Sequence, residues 1–202
     1  MKIICIGRNY AEHAAELKNE VPTEPVFFCK PDSAILPKSN PFVIPAWSDD
    51  IHYEVELVYR VERLGKNITE EFAPRYYTSV GLGIDFTARD VQSELKKKGL
   101  PWEKAKGFDG SAVISDEFIP LSELSAPIQF SLKKNGETVQ SGDSSQMIFN
   151  IDQIIAYVSQ YMMLKIGDFI FTGTPSGVGK VSTGDILEGY IGEKRMFRTK
   201  VR

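Results

Sequence analysis

The chain has 202 residues, 42% hydrophobic and 25% charged, with a formal net charge of −3 at pH 7. That length suits one domain of ordinary size or two small ones, and the composition buries a normal core, which excludes a disordered or fibrous chain. The absence of a basic excess argues against nucleic acid as the main partner, and no run of ~18 apolar residues exists to span a membrane.

In chain order, Lys2–Ile6 reads as a strand, too short an apolar run for a signal peptide. Gly7 turns the chain into a short charged helix, Tyr10–Lys18. Val26–Cys29 and Phe42–Ile44 are strand candidates, and Tyr53–Val61 is a longer one that alternates charged and apolar residues over 53–57. Ser79–Phe86 runs into a helix over Ala88–Lys98, stopped by Gly99 and Pro101. The lysines at 96–98 then sit at a helix C-terminus, where cations complement the dipole and point into solvent. Ile128–Lys134 and Glu137–Ser141 flank Asn135-Gly136, a type I′ hairpin signal. A helix over Ile151–Tyr161, started by Asn150 or Asp152, carries Ile154, Ile155, Tyr157 and Val158 at helical spacing. Phe169–Thr172, Asp185–Ile191 and Met196–Val201 complete the strands. The pattern predicts one α+β, mostly β domain over residues 1–202. Cys5 and Cys29 lie in apolar runs without a Cys-x-x-Cys partner, which fits buried free thiols in a reducing, cytoplasmic setting.

Within Tyr53–Val61, Glu54 and Glu56 share one strand face while Tyr53, Val55 and Leu57 face the core. Two adjacent carboxylates repel, and Asp85, at the end of a later strand, joins them only if something positive sits between. A hard divalent cation, Mg²⁺ or Mn²⁺, meets that need with oxygen ligands and leaves positions open for substrate. His13 and Glu16, at i and i+3, share a helix face, so the carboxylate can orient the imidazole as a general base. Arg89 and Gln92 are one helical turn apart, placed to grip a carboxylate or carbonyl. Lys106 falls in a loop among aromatic residues. The segment Gly173-Thr174-Pro175-Ser176-Gly177-Val178-Gly179-Lys180 fails the phosphate-loop pattern at Val178 and Val181. It remains a glycine-rich turn whose amides and Thr174 can approach a small anion.

Taken in order, these segments resemble the fumarylacetoacetate hydrolase family. The resemblance rests on Gly7-Arg8-Asn9-Tyr10 with His13 and Glu16, and on Lys30-Pro31. It continues through His52, Glu54, Glu56 and Leu57, then Asp85, Thr87-Ala88-Arg89-Asp90 and Gln92. Pro101-Trp102 with Lys106 and Phe108, Asn135-Gly136-Glu137 with Met147-Ile148-Phe149, and the glycine-rich turn from Gly173 to Gly179 close the set. The compact length looks most like the short acylpyruvase and oxaloacetate decarboxylase branch. The resemblance implies a mixed β-sandwich roll with a few short helices, assembled as a homodimer. It implies Glu54, Glu56 and Asp85 as ligands of Mg²⁺ or Mn²⁺, a His13–Glu16 dyad that activates water, and Lys106 as enolate stabiliser. Arg8, Lys30, Arg89, Gln92 and Thr174 become substrate contacts for a small 2-oxo acid.

The activity so implied is metal-dependent hydrolysis of a carbon–carbon bond in acylpyruvates, with oxaloacetate decarboxylation at the same site. Oxaloacetate keto–enol tautomerisation and fumarylpyruvate hydrolysis or isomerisation are the rivals, and a non-catalytic oxo-acid-binding module is the option outside enzymes. One departure stands out: many relatives have a Pro-x-Gly turn after the residue matching Phe108, where this chain reads Asp109-Gly110-Ser111. That difference concerns the pocket wall and leaves the metal ligands untouched.

Overall fold

A computed structural model describes residues 1–16 and 20–202. Its elements are β1 (Lys2–Gly7), α1 (Ala11–Glu16), β2 (Val26–Pro31), β3 (Ile51–Tyr53), β4 (Val55–Arg60), β5 (Ser79–Asp85), β6 (Thr87–Ala88), α2 (Arg89–Lys97), α3 (Glu103–Lys106), β7 (Ala112–Ile114), β8 (Ile119–Pro120), β9 (Gln129–Lys134), β10 (Glu137–Asp143), α4 (Ile151–Tyr161), β11 (Phe169–Phe171), β12 (Gly179–Lys180), β13 (Ile186–Ile191) and β14 (Lys194–Lys200). The fold is mostly β, with curled sheets and a few short helices. The largest sheet runs β2-β1-β11-β4-β5-β7, with β8 also on β5. A second runs β10-β9-β13-β14, and a small one β12-β3-β6.

The large sheet is covered on both faces, and its central strands show it. All seven residues of β5 are buried, and only Arg60 of β4 reaches solvent. Alternation at residues 53–57 therefore reflects two buried faces, one apolar and one charged. Gly83 allows that closeness. A Cβ there would stand 2.5 Å from the Val113 carbonyl oxygen and 2.7 Å from the Phe171 ring. No helix among the described residues is long and apolar enough to cross a membrane.

Other expectations meet the structure unevenly. The Asn135-Gly136 turn forms, with φ of 54° and 90° at the two residues, as a type I′ turn requires. α4 matches its expected limits. Asn150 caps it with a full capping box to Gln153, and Ile151, Ile154, Ile155 and Val158 face the core. Asn150→Ala is expected to cost about 1 kcal/mol, a fall of roughly 2–4 °C in Tm for a chain of this size, read by thermal unfolding. Phe42–Ile44 forms an isolated parallel bridge from Phe42 to Val201 rather than a named strand, with the Phe42 and Ile44 amides donating to the Lys200 and Arg202 carbonyls. α2 begins with Ala88 in the cap position and no side-chain cap. Cys5 is buried, whereas Cys29 is half-buried rather than hidden. The expected end of the first helix, Lys18, lies outside the described residues.

Candidate active site

The predicted strand Tyr53–Val61 is broken at Glu54: β3 belongs to the small sheet and β4 to the large one. The break would orphan the Val55 amide, but Gln140 Oε1 accepts from it at 2.9 Å. Glu54 and Glu56 thus flank the seam between two sheets. Antiparallel β5 brings Asp85 alongside, its amide donating to the Glu54 carbonyl at 2.9 Å. One carboxylate oxygen from each of the three residues lies within 4.8 Å of the others, and all three residues are buried.

The sequence argument required something positive among these carboxylates, and three cations supply it. Lys106 Nζ donates to Glu54 Oε2 at 2.8 Å and to Asp85 Oδ2 at 2.7 Å, and also to the Thr87 hydroxyl. Lys106 is not in a loop; it ends α3, one turn whose geometry turns the ammonium inward. Arg89, at the start of α2, donates to Glu54 Oε1 and, at 2.7 Å, to Gln92 Oε1. Lys30 Nζ lies 2.7 Å from Asp85 Oδ1, too far off line for a hydrogen bond, so charge holds the pair.

These charges set the protonation of the site. Burial alone would raise the Glu54 carboxyl, but Lys106 and then Arg89 outweigh it and hold it well below the usual range. Burial would lower the Lys106 ammonium; Asp85 and Glu54 reverse this and raise it. Glu56 has no ion-pair partner among the described residues. Burial, then Asp85 and Glu54, push its carboxyl well above the ordinary value. A carboxyl that stays short of positive charge beside two others is a donor set suited to a divalent cation. Glu54, Glu56 and Asp85 are therefore the residues that fit Mg²⁺ or Mn²⁺.

The glycine-rich turn does approach an anion, but that anion is the protein's own. Gly173 donates its amide to Glu56 Oε2 at 2.6 Å. Its φ is +96°, and a Cβ would stand 2.7 Å from the Asn9 Cβ, so the position needs glycine on two counts. Thr174 Oγ1 accepts from Gln140 at 2.9 Å, which places its hydroxyl at the pocket edge. On the other side of the pocket, His13 Nδ1 lies 3.0 Å from Glu16 Oε2. That contact leaves Nε2 for the pocket, which His13 lines. Glu16 is itself anchored, its Oε1 accepting from the Gly177 amide at 3.2 Å.

Arg8, His13, Glu54, Glu56, Asp85, Arg89, Gln92, Lys106 and Thr174 all line one pocket. Lys30 does not. It is 1% exposed, sits behind Asp85, and donates to the carbonyls of Lys106 and Ser111 and to the Ser111 hydroxyl. Of the Asp109-Gly110-Ser111 departure, Ser111 therefore helps hold Lys30, and none of the three lines this pocket. Sequence reasoning missed Asn9, which clips three segments together: it donates to the carbonyls of Phe149 and Thr172 and accepts from the Phe149 amide. It also placed Lys96 in solvent, whereas Lys96 and Trp102 line the pocket. The missed signal is the spacing Arg89, Gln92, Lys96, one stripe of a helix.

Comparison with known proteins gives the family. Residues 2–202 match the family model for the fumarylacetoacetate (FAA) hydrolase C-terminal domain. The chain therefore belongs to the fumarylacetoacetate hydrolase family. It is 45% identical over 201 residues to the mitochondrial oxaloacetate tautomerase of Rattus norvegicus, covering 98% of this chain and 90% of that one. It is 43% identical over 189 residues to an oxaloacetate tautomerase of Escherichia coli K12, covering 92% and 86%. Among solved structures, the fumarylpyruvate hydrolase of Pseudomonas aeruginosa, in complex with Mn²⁺ and pyruvate, superposes with a TM-score of 0.91 at 35% identity, covering all of this chain and 89% of that one.

Proposed function

We propose that this protein is a metal-dependent enzyme of 2-oxo acids whose principal reaction is keto–enol tautomerisation of oxaloacetate. The observation that carries the reading is one pocket lined both by a buried carboxylate and cation cluster and by a histidine oriented by a carboxylate. The names of the rat and Escherichia coli relatives support the choice of substrate and move tautomerisation ahead of the acylpyruvate hydrolysis that motif resemblance placed first.

Mg²⁺ or Mn²⁺ held by Glu54, Glu56 and Asp85 would supply a Lewis acid for negative charge developing on the substrate oxygen. The chain's own residues do the rest. Arg89 and Gln92 orient a carboxylate at the edge of the cluster. His13 Nε2 removes the C3 proton of the keto form, and Glu16 stabilises the imidazolium so formed. The C3–H pair becomes the C2–C3 double bond, and the former carbonyl oxygen takes up negative charge. Lys106, already charged and buried, stabilises that charge until the oxygen is protonated.

Hydrolysis of acylpyruvates is a second reading, favoured by the same dyad and by the fumarylpyruvate hydrolase neighbour. There His13 takes a proton from water, the oxygen attacks C4, and the C3–C4 bond breaks with pyruvate enolate leaving. Decarboxylation of oxaloacetate reaches that enolate by loss of CO₂ and needs no base. A homodimer is the assembly we propose, testable by light scattering.

The deciding experiment follows the ultraviolet enol signal of oxaloacetate and pyruvate release together, with Mg²⁺ and with EDTA. Metal-dependent enol loss without pyruvate is expected; pyruvate in step with enol loss would replace tautomerase by decarboxylase. His13→Ala is expected to slow tautomerisation by roughly 10²–10⁴-fold, and a variant at full rate would remove His13 from the mechanism.

A further inference from the structure

The face of α2 that carries Arg89 and Gln92 continues to Lys96, at i, i+3 and i+7. Its neighbours behave differently. Lys97 and Lys98 reach back to Glu94 in solvent, 3.2 and 3.9 Å away. Lys96 has no salt bridge among the described residues; its ammonium lies over the Trp102 ring, 5.4 Å from the centroid, and it lines the pocket. A helical side chain leans toward the helix N-terminus, so the four-carbon stem brings this ammonium back toward Arg89 and the carboxylate cluster.

Across the mouth stands Arg8. It sits at the corner between β1 and α1, with φ of +59°, an unusual backbone for a side chain of its size. Gly7 beside it packs close to Trp102. Arg8 also lines the pocket, and its Nε is buried with no hydrogen-bond partner among the described residues. Buried guanidinium donors without partners are costly. Two cations with no carboxylate partner among the described residues thus line the pocket together with Trp102, while Arg89, Lys30 and Lys106 are all engaged by the carboxylate cluster.

We infer that Arg8 and Lys96 form a second anion subsite that receives the distal carboxylate of a 2-oxo diacid, while the cluster below takes the oxo-acid end. This rests on the oxo-acid reading of the pocket and adds to it the class of substrate: diacids over monoacids with the same carbon skeleton. The electrostatics agree. Burial, then Arg8, Arg89 and Lys106, lower the Lys96 pKa to about 8, with Glu54 opposing. A cation held among cations is one that an incoming anion relieves.

The test compares oxaloacetate as substrate with 2-oxobutanoate as competitive inhibitor, four-carbon oxo acids that differ at the terminal carboxylate. Lys96→Met is expected to raise KM for oxaloacetate about tenfold or more, the effect of losing one charge-assisted contact. The 2-oxobutanoate inhibition constant and kcat should stay within about twofold. Lys96→Arg, which keeps the charge, should restore KM and flatten its rise above pH ~8. Equal movement of both constants, or of neither, would overturn the subsite while leaving the oxo-acid reading intact. Failure of the wild-type protein to bind either compound would overturn both.

Discussion

Lys30→Met is expected to destabilise the metal-free protein by about 3–5 kcal/mol, the range for breaking a buried ion pair by removing one partner. The side chain is among the largest fully buried ones, and its ammonium meets Asp85, three carbonyls and the Ser111 hydroxyl. Methionine fills the stem's volume but leaves the Asp85 carboxylate facing one cation instead of two, and takes one donor from each of the Phe86, Lys106 and Ser111 carbonyls. The loss should appear as a lower urea midpoint with an unchanged slope. A cost below 1 kcal/mol would mean that Asp85 is already satisfied by Lys106 alone. Lys30 does not line the pocket, so whatever folded protein remains should still bind metal.

Glu56→Gln is expected to do the reverse: a fold that survives and a metal response that disappears. Glutamine keeps an oxygen to accept from Gly173, whose amide donates to Glu56 at 2.6 Å. It also removes the one carboxylate of the triad that has no cation of its own. The wild-type protein should gain about 2.7 kcal/mol of stability at a hundredfold excess of Mg²⁺ over its Kd, because the ion binds only the folded state. The variant should gain little, and its tautomerisation should fall by roughly 10²-fold or more, the scale for lost electrostatic stabilisation. Thermal melts with Mg²⁺ and with EDTA read the first effect, and enol loss reads the second. A variant that melts and turns over like the wild type would remove Glu56 from the metal site.

Much of this was legible in the residues because the signals are local. α4 has its stripe and its limits in eleven consecutive positions with its cap just before them, and Asn135-Gly136 defines a hairpin by itself. Glu54 and Glu56 stood out because period-two spacing makes paired carboxylates conspicuous. What escaped depends on distant partners. The break at Glu54 is stabilised by Gln140, 85 positions later. Lys96 looked like one of three solvated lysines because only Trp102 and the pocket behind it distinguish them. The inward turn of Lys106 needs α3, four residues long, too short for any periodicity. Asn9 joins segments some 140 and 163 residues away, a role no window of sequence can display.

That separation has a consequence for how the protein is made. Glu56 meets Gly173 across 117 positions, and β1 pairs in parallel with β11 near the other end of the chain. On the ribosome, the carboxylates and their lysines are all synthesised well before Thr172 and Gly173 emerge. Until then β1 lacks β11, Asn9 lacks the Thr172 carbonyl, and Glu56 has no amide to hold it. Such long-range pairing is slow to form. Affinity for the ion should therefore arrive late and all at once, making metal capture a marker of a finished chain rather than a seed for a growing one.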